Sequence, residues 1–164
     1  ALGLERAKKS GIETLTIEQE SFSSRVEFDS FLASAISQFN PSLIVLAGFM
    51  RVLGHTFVKQ FHGRIINIHP SLLPTYPGLN THQRAIKDKQ KVHGVTVHYV
   101  TESLDGGPII AQEEVPILSD DTAEALAERV LKKEHAIYPK VVNLIALGKI
   151  QMKNGEVIFD KSIL

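Results

Sequence analysis

The sequence predicts an α/β fold: a mostly parallel sheet flanked by helices and finished by a C-terminal β-hairpin. Three observations point to it. Strand-like and helix-like patterns alternate along most of the 164 residues, the order that βαβ units produce. The run Leu43-Ile44-Val45-Leu46-Ala47 is apolar without alternation, as in a strand buried on both faces of a parallel sheet. Asn154-Gly155 stands between two short apolar runs near the end of the chain, a strong short-range hairpin signal.

Each element has a local cause. Leu4 and Ala7 fit a short helix, and Gly11 can end it as a left-handed cap. Residues 14–17 make a short β-like run. Ser24-Arg25-Val26-Glu27 has capping-box spacing, and Phe28, Phe31, Leu32, Ala35 and Phe39 follow at helical intervals until Asn40-Pro41. After the apolar strand, Phe57 and Phe61 pair one turn apart on a short helix closed by Gly63. Arg64-Ile65-Ile66-Asn67-Ile68-His69 is the next strand, stopped by Pro70. Three prolines and a glycine make residues 70–78 a shaped loop. Thr81 is placed to cap a helix running to about Lys89. Over residues 92–100, Val95, Val97 and Tyr99 fall on one strand face, Thr96 and His98 on the other. Asp105-Gly106-Gly107-Pro108 is a turn and residues 109–117 a further strand. A long helix is expected over residues 122–147, bent or broken at Pro139 and ended by Gly148. Residues 149–159 form the hairpin. With no repeat, linker or low-complexity segment, residues 1–164 are expected to form a single domain.

Composition narrows the function. With 43% hydrophobic and 22% charged residues the chain is ordinary for a globular protein rather than a disordered one. Eighteen basic residues balance 18 acidic ones, which argues against a surface for nucleic acid or anionic lipid. The absence of cysteine excludes a disulfide scaffold and a Cys-based metal site. The seven histidines lack His-Glu-x-x-His spacing, so no metal is expected. No apolar run approaches the roughly 18 residues of a membrane span and no signal-peptide pattern occurs, so a cytoplasmic location is expected. There is no phosphate loop, dinucleotide fingerprint, Gly-x-Ser-x-Gly elbow or cysteine nucleophile. The residues favour proton transfer and electrostatic stabilisation over covalent catalysis.

Ligands of open α/β sheets bind where strands run out at their carboxyl ends. Asn67 and His69 stand there, two apart and so on one face of a strand. Each needs a partner once buried; they are either a satisfied polar pair or a site, and the proline-rich loop behind them favours a site. Asp105, in a Gly-rich turn, is either an Asx-type turn residue or an acid that orients a histidine. Gly48-Phe49-Met50-Arg51-Val52-Leu53 either lines a flat ligand or simply connects strand to helix. Lys132-Lys133-Glu134-His135 reads as a solvated helix face.

Five segments in this order resemble the phosphoribosylglycinamide formyltransferases, folate-dependent enzymes of purine biosynthesis. They are Leu46-Ala47-Gly48-Phe49-Met50-Arg51, Asn67-Ile68-His69-Pro70-Ser71-Leu72-Leu73-Pro74, His93-Gly94-Val95-Thr96-Val97-His98, Leu104-Asp105-Gly106-Gly107-Pro108 and Glu134-His135-Ala136-Ile137-Tyr138-Pro139. The resemblance runs from residue 1 to about residue 150. The second segment is also similar to the formyltransferase acting on methionyl-tRNA and to formyl-folate hydrolase. Tyr76-Pro77-Gly78-Leu79-Asn80-Thr81-His82 is similar to the glycinamide enzymes, although Asn80 stands where bacterial members often carry His. The tail over residues 151–159 resembles the end of this domain in multifunctional eukaryotic versions, so fusion to other purine-pathway domains stays open.

The resemblance implies a Rossmann-like formyltransferase fold and formyl transfer from 10-formyltetrahydrofolate to the amine of glycinamide ribonucleotide. It implies small-molecule substrates, without metal, nucleic acid or membrane. His69 would be the general acid/base, Asn67 an amide aimed at the formyl oxygen, and Asp105 a carboxylate favouring the charged form of His69. Met50, Arg51, Val52 and Leu53, with Asn67 and with Thr101, Glu102, Ser103, Leu104 and Asp105, would hold the folate. Arg25 would reach its distal carboxylates. Leu131, Lys132, Lys133 and Glu134 would meet the ribonucleotide, Glu134 on its ribose. The family begins with a strand and a Gly-Ser-Asn loop that holds a phosphate at a helix N-terminus. The single domain is therefore expected to be N-terminally incomplete by roughly 40 residues. The alternatives are a formyltetrahydrofolate hydrolase and a non-catalytic folate-binding module.

Overall fold

The computed structural model describes residues 2–160. They group into two units, one up to Phe39 and one from Asn40 onward.

In the first unit, α1 (Leu2–Lys9) is followed by Gly11 at φ +69°, as a left-handed cap requires. Residues 14–17 are not a strand: a strand exists through ladder bonds to a neighbour, and none is formed there. A 3-10 turn (Gln19–Ser21) leads to α2 (Arg25–Ser37). Ser24 caps α2, its hydroxyl accepting from the Glu27 N–H at 3.2 Å. The Glu27 carboxylate reaches one residue further back than a capping box does, accepting from the Ser23 N–H at 2.9 Å and hydroxyl at 2.6 Å. Phe22 meets the Phe28 and Phe31 rings at 5.5 and 5.2 Å. Of the expected apolar stripe, Phe28 and Ala35 are buried while Phe31 and Phe39 stay half exposed.

The second unit carries the sheet. Its elements are β1 (Ile44–Leu46), α3 (His55–Gln60), β2 (Ile65–His69), α4 (Thr81–Lys87), β3 (Val92–Tyr99), β4 (Ile109–Pro116), α5 (Ala123–Ala146), β5 (Ile150–Lys153) and β6 (Glu156–Phe159). The four-stranded sheet has the order β1-β2-β3-β4. β1 runs parallel to β2, placing Leu46 beside Asn67, whereas β2–β3 and β3–β4 are antiparallel. The α/β class holds with a mixed sheet: the turn after β3 is too short for the crossover a parallel neighbour needs, so β4 must return antiparallel. Gly107 permits that turn, since a Cβ there would collide with the Tyr99 carbonyl oxygen. β1 is not buried on both faces; it is an edge strand of this sheet, with Val45 42% exposed.

β3 divides the two layers. Val95, Val97 and Tyr99 join Leu126, Val130, Ile137, Tyr138 and Val141 of α5 in the core. The period-2 pattern turns Thr96 and His98 to the other face, under the loop after β2. α5 runs unbroken through Pro139. Packing of its apolar face on the sheet outweighs the hydrogen bond that proline removes. The Tyr138 hydroxyl lies 2.7 Å from the Leu46 carbonyl and 3.1 Å from that of Ile66, tying α5 to β1 and β2. Asn80, in the left-handed region and without a side-chain cap hydrogen bond, rather than Thr81 occupies the N-cap position of α4. The Thr81 hydroxyl instead donates to the Pro70 carbonyl at 2.6 Å, fastening the helix to the end of β2. Asn154 (φ +54°) and Gly155 (φ +81°) make the expected tight turn of the β5–β6 hairpin.

Candidate active site

Register brings the polar residues together. Asn67 pairs with His98, and His69 with Thr96, across the β2–β3 ladder. Directly opposite residues share a face, so Asn67, His69, Thr96 and His98 form one polar patch at the carboxyl end of β2. Thr96 is its buried hub: its hydroxyl donates to the Ser71 carbonyl at 2.7 Å and accepts from the Leu73 N–H at 3.0 Å and the Gln112 amide at 2.8 Å. This pins the loop at Ser71 and Leu73, the latter joined to Pro74 by a cis bond, against the sheet.

His69 is 7% exposed. Its Nε2 lies 2.9 Å from the Tyr76 carbonyl, and its Nδ1 lies 3.5 Å from Asp105 Oδ2. Both ring nitrogens thus face oxygen acceptors, Nε2 at ordinary hydrogen-bond distance and Nδ1 at a longer one. The Asp105 contact is the looser one, longer than the 2.7–2.9 Å typical of charge-assisted hydrogen bonds. Asp105 Oδ2 also accepts from the Gly78 N–H at 2.8 Å, and Oδ1 lies 3.9 Å from His98 Nε2. The backbone of Asp105 is left-handed (φ +49°), a conformation that Asp tolerates better than most residues. Asp105 therefore sits in a turn with its carboxylate bonded to the distant Gly78 rather than within that turn, and the carboxylate lies beside His69.

His98 received no role from the sequence. Its Nδ1 lies 2.9 Å from the Tyr99 carbonyl, so the proton sits there and Nε2 accepts from the Asn67 Nδ2 at 3.4 Å. Burial holds the His98 pKa below the ordinary histidine value, keeping the ring neutral. One Asn67 N–H is spent on His98, which leaves the second free to point elsewhere. The signal in the sequence was the alternation that set Thr96 and His98 on one face; the missing information was the register opposite Asn67.

The remaining expected residues divide. Met50, Arg51, Val52 and Leu53 form irregular backbone between β1 and α3, Met50 being 81% exposed and Leu53 buried. Thr101, Glu102, Ser103 and Leu104 form the turn that ends in Asp105, and Leu104 is 55% exposed. Glu102 pairs with His55 at the start of α3 at 2.8 Å, bridging these two segments. Beneath the pair, Val58, Lys59, His62, Thr101, Glu102 and Ser103 line a recess of about 250 Å³. A larger hollow of about 630 Å³ lies between the end of this turn, at Gly106 and Gly107, and the β5–β6 hairpin, and Asn67, His69 and Asp105 do not line it. Leu131, Lys132, Lys133 and Glu134 follow one another on α5. Leu131 and Lys132 are exposed, and Lys133 pairs with Glu113 at 3.1 Å. Glu134 lies within electrostatic reach of His69; burial raises its carboxyl above the ordinary range, while positive charge on His135 and His69 works against that shift. Arg25 belongs to the first unit, where it opens α2 and lies 3.9 Å from Asp29. No group of three or more potential metal ligands occurs among the described residues.

The chemistry available here is specific. An amide N–H and an imidazole N–H beside each other stabilise negative charge developing on an oxygen.

The profile of the formyl transferase family matches residues 1–142. The phosphoribosylglycinamide formyltransferase of Escherichia coli strain K12 is 46% identical over 160 residues, covering 98% of this chain and 76% of that protein. The human trifunctional purine biosynthetic protein adenosine-3 is 42% identical over 160 residues, covering 97% of this chain and 16% of that protein. The solved phosphoribosylglycinamide formyltransferase of Coxiella burnetii superposes with a TM-score of 0.90 at 51% identity, covering 98% of this chain and 75% of that one. By profile, sequence identity and fold together, the chain belongs to the formyl transferase family.

Proposed function

We propose that this chain transfers a formyl group from 10-formyltetrahydrofolate to the amine of glycinamide ribonucleotide, in purine biosynthesis. The observation that carries the assignment is the convergence of Asn67, His69 and Asp105 at the end of β2, in a chain nearly half identical to a phosphoribosylglycinamide formyltransferase. All 164 residues are taken as part of one formyltransferase domain, working in the cytoplasm on small molecules. No described helix is long and apolar enough to cross a membrane.

The residues fit both substrates chemically. A flat pterin suits the irregular segments around Met50, Arg51, Val52 and Leu53 and around Thr101, Glu102, Ser103 and Leu104, which offer backbone groups and exposed apolar side chains. Leu131, Lys132, Lys133 and Glu134 would receive the ribonucleotide, Glu134 accepting from ribose hydroxyls. As the amine adds to the formyl carbon, charge builds on the formyl oxygen. The free N–H of Asn67 and the Nδ1–H of His69 donate to it. His69 can yield that proton because its Asp105 contact is loose, at 3.5 Å. The proton lost by the attacking amine and the one gained by the departing folate nitrogen pass through His69 or a water beside it.

The test is a paired assay of formyl appearing on glycinamide ribonucleotide and of free formate. Transfer to the amine with little formate supports the proposal. Formate release independent of the ribonucleotide would instead identify a formyltetrahydrofolate hydrolase, and folate binding with neither product a binding module.

A further inference from the structure

The tripeptide over residues 76–78 touches both groups assigned to proton handling. The Tyr76 carbonyl faces His69 Nε2 at 2.9 Å, and the Gly78 N–H donates to Asp105 Oδ2 at 2.8 Å. A displacement of these three residues therefore acts on both His69 and Asp105. The segment does not hold itself in place. Tyr76 sits at φ +55°, and a residue with a side chain persists in that region only where its surroundings over-determine it.

Those surroundings come largely from one side chain of α4. The Arg84 guanidinium lies over the Tyr76 ring, 5.1 Å from its centroid. Its Nη1 donates to the Pro77 carbonyl at 2.6 Å and lies 3.4 Å from the Leu79 carbonyl. Arg84 thus grips residues 76, 77 and 79, on both sides of Gly78. The Tyr76 hydroxyl donates to Asp88 at the end of α4, at 2.9 Å, which fixes the ring under the guanidinium. Only arginine combines these contacts, because its planar group stacks through its face while donating along its edge. On the far side the Ser71 hydroxyl donates to the Thr75 carbonyl at 2.6 Å and lies 3.2 Å from that of Tyr76. Without Arg84 the loop would loosen rather than detach.

We propose that Arg84 is a positioning residue of the active site: by clamping residues 76–79 onto α4 it sets the placement of His69 against Asp105. The kinetic consequence rests on the formyl-transfer assignment, but the geometric one does not.

The experiment compares the full chain with Arg84→Ala, Arg84→Lys and Tyr76→Phe. For Arg84→Ala, kcat for formyl transfer is expected to fall about ten- to a hundredfold, the scale of a small misplacement of reacting groups. KM for both substrates should stay within about twofold, because no binding contact is removed. Arg84→Lys should recover only part of the loss, and Tyr76→Phe, which keeps the ring beneath the guanidinium, should lose less than Arg84→Ala. The His69 Nε2 nitrogen signal, assigned by its disappearance in His69→Gln, should move in Arg84→Ala because its hydrogen bond to Tyr76 changes. An unchanged kcat, a loss confined to KM, or a His69 signal identical to wild type overturns the proposal. If Arg84→Ala fails to fold, unchanged kcat and His69 signals in the other two variants overturn it equally. If the wild-type chain transfers no formyl group, the assignment of function fails on its own and the His69 signal alone decides the clamp.

Discussion

Acid is expected to destabilise this protein through His93. The ring is 1% exposed and lies edge-on to His82 at 5.0 Å. Its Nε2 and the His82 Nδ1 are buried without a hydrogen-bond partner. Burial first, then the charge of His82, pull the His93 pKa from 6.5 down to about 4, against the opposing backbone hydrogen bond at Pro70. An unfolded His93 binds its proton near 6.5, whereas the native ring refuses it until about 4. Between those values the unfolded state holds more protons, so stability falls as pH drops; above 6.5 the contribution is complete. A lowering of this size corresponds to about 3 kcal/mol, a large share of the roughly 5–15 kcal/mol that holds a typical domain together. His82, also lowered by burial, adds in the same direction. Urea unfolding of wild type and His93→Gln from about pH 7.5 to 4 measures the effect. The wild type should lose about 3 kcal/mol more than the variant over that interval. Parallel stability curves would refute the argument, because they would mean that His93 charges without penalty in the native state.

Two further predictions concern the scaffold beneath the site. Thr96→Val keeps the shape of the hub but leaves the Leu73 N–H and the Ser71 carbonyl buried without their partner. It should cost about 2–4 kcal/mol in urea unfolding, and a loss below about 0.5 kcal/mol would show that the loop is held otherwise. Tyr138→Phe removes the hydroxyl shared by the Leu46 and Ile66 carbonyls. A loss of about 1 kcal/mol is expected, with kcat unchanged; a fall in kcat would mean that α5 positions Asn67 through this contact.

Most of the fold is legible in local patterns. The alternation around Val95 and Thr96, the Gly11 and Gly148 helix ends and the Asn154-Gly155 turn each follow from the conformational preference of a few residues. What local pattern could not supply was pairing. Residues 14–17 look like a strand but find no ladder, and the apolar run at Val45 became an edge. Pro139 is a helix breaker by propensity, yet α5 continues because distant core residues hold both halves. Asn67 and His69 stood out because polar side chains at the end of an apolar strand are costly without partners. His98 and Tyr76 fell within segments of the resemblance, but they and Arg84 were given no role: their relevance lies in cross-strand register, a carbonyl and a ring stack, which local pattern does not show. Asp105 was ambiguous between turn and acid because it stands in a left-handed turn and beside His69 at once.

The central claim is that His69, set beside Asp105 and Asn67, carries the proton transfer. The most direct measurement is the rate of formyl transfer to glycinamide ribonucleotide by His69→Ala, with binding of the formyl-folate measured on the same preparation. Turnover should fall by about 10²–10⁴ while folate affinity stays within about threefold. Near-wild-type turnover with the folate bound would contradict the account.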